Sequence, residues 1–347
     1  GGLDSQAIAG LLSKNNVNLN TFTLGFKGHQ QGDLNETKLA RIAAKHFQTK
    51  HTEVEIDTKS YFEDLDKMIY SLDEPYGGGL PLWHILKQSG KKFGVILTGL
   101  GGDELFGNFG RWTLLEKTMF NSLNIKYQFD TLFFNRKYFF SEKLKNKIIL
   151  NNSKNSTSEY LLNIMNKNKH YNIRDKIMYL DIKTQLQDEY CNVVNKFSMA
   201  NQIEARAPFL DVNFTNLMFK VSSKIRTSKN DFKYLLRNMV KGLIPNQNLY
   251  NRKIGFIGLE SQKVNYNFSE IKNILFNKKK INAQSVLNYD NIQEFITPFE
   301  NGNQYKEKIN FFEKKYSYKS LWALIMFQKW YDIFIEKNND FQIKLKN

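Results

Sequence analysis

The amino-acid sequence predicts an α/β fold: an open parallel sheet with flanking helices, followed by a mostly helical C-terminal half. Three observations carry this expectation. Short apolar runs alternate with helical patterns upstream of residue 112, as βα units do. Glycine-rich turns lead into helical patterns at residues 1–5 and 98–108, where a sheet of this kind gathers its ligands. Beyond residue 112 the strand signals fade and long amphipathic patterns take over.

Taken in order, the chain opens on "GGLDSQAIAGLL", whose Ile8, Leu11 and Leu12 recur at helical spacing. Strands are expected at "NTFTLGF" (20–26), "HTEVEI" (51–56) and "FGVILTG" (93–99). Helices are expected between them at "ETKLARIAAKHF" and "SYFEDLDKMIYSL". The segment from 120 to 175 is rich in aromatics, lysine and asparagine, and reads as helices joined by mobile loops. Long helices follow at "DKIMYLDIKTQLQDEYCNVV" and "SLWALIMFQKWYDIFI". The division is accordingly placed at residues 1–111 and 112–347.

Composition narrows the class. With 347 residues and 41% hydrophobic content the chain is long enough for a substantial core. No stretch approaches the roughly 18 uninterrupted apolar residues of a membrane helix, and a cytoplasmic location is expected. The net charge of +16 is spread as lysine among asparagines, without an arginine and aromatic recognition ladder, so nucleic acid is not among the expected partners. The single cysteine, Cys191, has no histidine close in sequence and reads as a packing residue.

Four clusters carry chemistry. In "GGLDS" the glycines allow close backbone approach, so N–H groups and the positive end of the next helix face one anion, with the Ser5 hydroxyl beside them. Asp4 repels a lone polyphosphate, and its presence is explained by an intervening Mg²⁺. By itself this string reads equally as a glycine turn with Asp4 as a helix cap. "LTGLGGDELFGN" places Thr98 and Gly99 at a strand end and Asp103 and Glu104 at a helix start, where acids also serve as simple caps. "SMANQIEARAPFLD" gathers Glu204, Arg206 and Asp211 around a proline turn, the density of an internal ion-pair network. "NRKIGF" sets Lys253 beside a glycine in a loop.

In this order the clusters resemble the synthetase domain of the glutamine-dependent asparagine synthetase family, a branch of the PP-loop ATP pyrophosphatases. "GGLDS" is similar to the family's S-G-G-L-D-S-S, and "TGLGGDELFGN" to its S-G-x-G-x-D-E-L-F-G-G. "SMANQIEARAPFLD" matches S-M-x-x-x-x-E-x-R-x-P-F-L-D, and "KYLLR…LIP…RKIGF" matches K-x-x-L-R…L-P…K-x-G-F. The resemblance implies ATP and Mg²⁺ as co-substrate and metal, and aspartate activated as an acyl-adenylate that ammonia converts to the amide. It implies that Gly1, Gly2, Asp4 and Ser5 hold pyrophosphate and metal. Leu24, Thr98 and Gly99 would frame the nucleotide. Asp103 would bind metal or the substrate amine, and Lys253 would stabilise the pentacoordinate α-phosphate. Glu74, Leu100, Gly101, Glu104, Glu204, Arg206 and Asp211 would line the substrate pocket.

Three departures from the pattern matter. Leu100 stands where the family is usually acidic, and it can neither accept a proton nor stabilise ammonium. In "DEPYGGGLP" Gly77, Gly78 and Gly79 replace small polar residues, which is expected to open space for a larger or different acid. Asn195 and Lys196 replace Asp-Arg. A related amide ligase acting on a peptide or sugar acid, and a nucleotide-binding module without catalysis, are therefore kept as alternatives. The resemblance further implies a glutaminase domain upstream, and a homodimer is a further expectation. Because PP-loop proteins place a buried strand and a serine directly before the glycine pair, the chain is expected to be a fragment cut inside its ATP site. It should then bind ATP poorly until that strand is restored.

Overall fold

A computed structural model describes residues 1–15, 17–27, 36–57, 60, 62–107, 110–118, 124–150, 156–228, 232–250, 268–300 and 318–337. The chain divides into two compact units, and both draw on sequence from either side of residue 112. The first comprises residues 1–61, 79–110 and 170–258, the second residues 62–78, 111–169 and 259–347.

The first unit is the α/β part. Helix α1 (Leu3–Lys14) leads to strand β1 (Asn20–Phe26), helix α2 (Thr37–Phe47) and strand β2 (Lys50–Ile56). Strands β1 and β2 pair in parallel from Asn20↔Lys50 to Phe26↔Ile56. Thr23 to Phe26 are buried in succession, the pattern of a parallel strand covered on both faces. Helix α3 (Leu80–Gly90), started by Pro81, precedes strand β3 (Val95–Leu97) and the short helix α4 (Gly102–Phe106). Strand β3 is narrower than the expected 93–99. It pairs in parallel with β4 (Glu204–Arg206), a strand that reading the proline turn as an ion-pair network did not anticipate. The described strands thus make two parallel two-stranded ladders. Val95 and Leu97 remain 45% and 40% exposed.

Directly ahead of β4 in sequence runs a continuous helix, Ile173 to Ala200, whose middle section Ile182–Cys191 is widened into π-helical turns. Cys191 is half-buried, and burial, helped by the charge of Glu104, pushes its thiol pKa up, as suits a packing cysteine. Helices α5 (Val212–Lys220), α6 (Ser223–Arg226) and α7 (Tyr234–Met239) follow. The core of this unit joins Ala7 and Ile8 of α1, Ala43 and Phe47 of α2, and Leu105 and Phe106 of α4 to Phe209, Met218, Leu236 and Val240. Leu12 packs against that cluster, whereas Leu11 turns outward and is 55% exposed.

The second unit is helical. Within it Lys329 is buried in the helix Tyr318–Tyr331 and its ammonium lies 2.8 Å from Asp66. Gln284 and Gln328 exchange two hydrogen bonds of 2.9 Å. Removing one partner of a buried ion pair leaves the other charge desolvated, at a cost on the order of 3 kcal/mol. Asp66→Asn is therefore expected to lower the urea midpoint, and adding Lys329→Met should recover part of the loss. Among the described residues no helix is long and apolar enough to cross a membrane.

Candidate active site

The start of α1 is built from backbone. Gly2 is its N-cap at φ −71° and ψ 157°, with no side-chain cap, which leaves the first-turn N–H groups as the local positive end. The Ser5 hydroxyl donates to the Gly2 carbonyl at 3.0 Å. Asp4 sits in this first turn.

A second glycine turn closes onto the same carboxylate. A Cβ on Gly99 would stand 2.7 Å from Asp4 Cβ and 3.0 Å from the Ser5 nitrogen, and one on Gly102 would stand 2.4 Å from Asp4 Oδ1. Gly101, at φ +89°, is the N-cap that turns β3 into α4, a conformation that disfavours any side chain. Two helix starts, far apart in sequence, thereby share Asp4 between them. The Thr98 backbone N–H donates to the Arg206 carbonyl at 2.8 Å, while its hydroxyl oxygen is buried without a protein partner.

The residue that completes the cluster is Lys233. Its ammonium lies 2.6 and 2.5 Å from the two Asp4 oxygens and 2.5 Å from Asp103 Oδ1. Burial alone would depress its pKa, but the Asp4 and Asp103 carboxylates outweigh that, and it stands above the ordinary lysine value. Lys233 caps α7 in the left-handed conformation, at φ +63°. The sequence carried one signal for it, its place at the head of "KYLLR", but nothing there tied that lysine to residues 4 and 103.

Glu104, beside Asp103, is 2% exposed, and Leu100 is half-buried. The carbonyl of Leu105 in α4 accepts from the buried Arg226 guanidinium at 2.8 Å, and Arg226 also reaches Asp175 at 3.0 Å. These bonds anchor the helix that carries both acids. Leu24 is buried in β1 opposite Val54.

Other expected site residues have contacts of their own. Glu204 and Arg206 pair with each other at 2.7 Å on the exposed face of β4, where that contact holds the Glu204 carboxyl below its usual range. Asp211 caps α5 by accepting from the Phe214 N–H at 3.0 Å. Glu74 is exposed and belongs to the second unit. Two of the three glycines after it stand against neighbouring side chains. A Cβ on Gly77 would meet Trp322 at 3.2 Å, and one on Gly78 would meet the Tyr76 hydroxyl at 2.9 Å. Lys253 and the rest of "NRKIGF" lie outside the described residues.

Two carboxylates converging on one cation, with two side-chain-free glycines packed against Asp4, are a donor set that a magnesium ion could use. Among the described residues no group of three or more His, Cys, Asp or Glu side chains makes a protein-only metal cage. The asparagine synthase family model matches residues 1–332. The chain belongs to the asparagine synthase family. It is 23% identical over 368 residues to asparagine synthetase [glutamine-hydrolyzing] 1 of Bacillus subtilis, covering 97% of this chain and 56% of that protein. A putative asparagine synthetase [glutamine-hydrolyzing] 2 of Methanocaldococcus jannaschii is 33% identical over 113 residues, 31% of this chain and 21% of its own. Asparagine synthetase [glutamine-hydrolyzing] 2 of rice is 25% identical over 281 residues, 74% of this chain and 37% of its own. This asparagine synthase family chain thus spans about half the length, or less, of the curated relatives it matches.

Proposed function

We propose that this asparagine synthase family chain is the synthetase part of an enzyme that amidates aspartate at the expense of ATP. The observation that carries the reading is the sharing of one ammonium by Asp4 and Asp103 where two helix starts meet. A carboxylate is a poor electrophile, so its oxygen attacks the α-phosphorus of ATP, pyrophosphate departs with its bridging oxygen, and a β-aspartyl adenylate results. Ammonia then adds to the activated carbonyl, a proton leaves the nitrogen, and AMP departs to give the amide.

The residues divide this work. The N–H groups at Gly2 and the first turn of α1 would hold the departing phosphates, and the Thr98 hydroxyl, buried without a protein partner, would donate to the nucleotide. Asp4 and Asp103 would hold a magnesium ion, which supplies charge neutralisation of the phosphates when bound. Lys253 offsets charge at the α-phosphate. The relatives are named as glutamine-hydrolyzing, so a glutaminase domain in a longer protein is the proposed ammonia source.

A second reading is favoured by Leu100, an apolar, half-buried side chain in the turn where an acid would assist ammonia. It retains the adenylation step and changes the acid or the amine. Isotope exchange between pyrophosphate and ATP, measured across a panel of carboxylic acids in the full-length protein, tests both. Aspartate-dependent exchange with asparagine as the amide product is expected, with Lys253→Ala lowering exchange about a hundredfold or more. Exchange with a different acid alone would transfer the assignment to the second reading. Nucleotide binding without exchange for any acid would leave a non-catalytic module.

A further inference from the structure

The geometry points to Lys233 as an internal cation that occupies the metal position and is displaced from it when the metal binds. This inference rests on the assignment of Asp4 and Asp103 as metal-holding carboxylates, and goes beyond it by making Lys233 the competitor for that position.

Both carboxylates place an oxygen 2.5 Å from the same nitrogen, so those oxygens cannot be more than twice that distance apart. Magnesium binds oxygen at about 2.0–2.1 Å, within roughly half an ångström of the spacing already present. A metal ion gripping both carboxylates would therefore lie almost where the ammonium lies. Two cations do not share such a hole, because their repulsion rises as their separation falls in a buried setting. One of the groups must move.

The packing decides which. Asp4 is confined by Gly99 and Gly102, where even a Cβ would collide with it. Asp103 belongs to α4, whose Leu105 carbonyl is tied to Arg226 at 2.8 Å. Lys233 has only a flexible four-carbon stem between its backbone and its charge. The carboxylates stay, and the ammonium swings away. In the absence of metal it keeps two like charges together and already spaced for the ion, while weakening the binding of stray divalent cations that arrive without a polyphosphate.

Manganese binding followed by electron paramagnetic resonance, in the full chain without nucleotide, tests the exchange. Lys233→Met is expected to bind Mn²⁺ at least tenfold more tightly than the wild type, and Lys233→Arg, which keeps the charge, as weakly as the wild type. The thermal midpoint of Lys233→Met should rise on adding MgCl₂ by more than that of the wild type. Equal Mn²⁺ affinity in wild type and Lys233→Met would overturn the inference. Should Lys233→Met not fold, amine acetylation of the wild type read by mass spectrometry decides. Labelling of Lys233, 4% exposed in its ion pair, is expected to rise severalfold at saturating Mn²⁺, and unchanged labelling would also overturn it. Neither measurement depends on the acid used, so absence of aspartate-dependent exchange would remove the proposed reaction and leave this result standing.

Discussion

Asp103→Asn is expected to lower carboxylate-dependent exchange between pyrophosphate and ATP by about a hundred- to thousandfold, the range seen when a preorganised charge is taken from a transition state. The substitution is nearly isosteric, so the α4 backbone, its Arg226 anchor and the Phe106 packing beneath it have no reason to move. What changes is charge. Asp103 loses its claim on the Lys233 ammonium and on any metal bound in its place. The effect should fall on the apparent affinity for Mg²⁺ as well as on turnover, and a titration of exchange rate against free Mg²⁺ separates the two. An Asp103→Asn protein that exchanges at the wild-type rate would assign that carboxylate to capping α4.

The second large effect is expected from a methyl group. Gly102→Ala directs a Cβ to 2.4 Å from Asp4 Oδ1 and 2.7 Å from its Cγ, so the carboxylate must leave its position. Overpacking of this kind costs about 1–3 kcal/mol of stability. Misplacement of a positioning group by an ångström costs about a hundredfold in rate. The expected result is a folded protein, slightly lowered in melting temperature, with exchange reduced at least that much. Gly2→Ala is the matching control, because nothing lies within 4 Å of its added Cβ and its φ is −71°. It should melt with the wild type, and a loss of exchange there would show that phosphate itself needs the space above α1.

These two tests fall where the sequence was most informative. Short apolar runs alternating with a helical pattern located β1, α2 and β2 because their burial follows local sequence. The glycine turns announced both helix starts, since close approach and a positive φ such as that of Gly101 leave few other residue choices. Strand β4 escaped notice because three residues with Glu204 and Arg206 facing solvent lack the apolar signature of a parallel strand. Lys233 escaped for a different reason. A lysine's burial is decided by which acids surround it in space, and those acids lie more than a hundred residues away in sequence. Gly77 and Gly78 read as vacant because a sequence shows which side chains are missing, whereas their contacts with Trp322 and Tyr76 depend on packing.

The separation of 229 residues between Asp4 and Lys233 has a kinetic side. Contacts that close so long a span form late, since the entropy of loop closure must be overcome before they contribute anything. While the chain emerges from the ribosome, Asp4 and Asp103 exist well before the lysine that neutralises them, and they are held apart by no more than local structure. The proposed nucleotide cradle is then among the last features to mature. Its appearance in a refolding experiment, followed by a bound metal or nucleotide probe, is expected to trail the recovery of helical signal and to coincide with the final recovery of the native state.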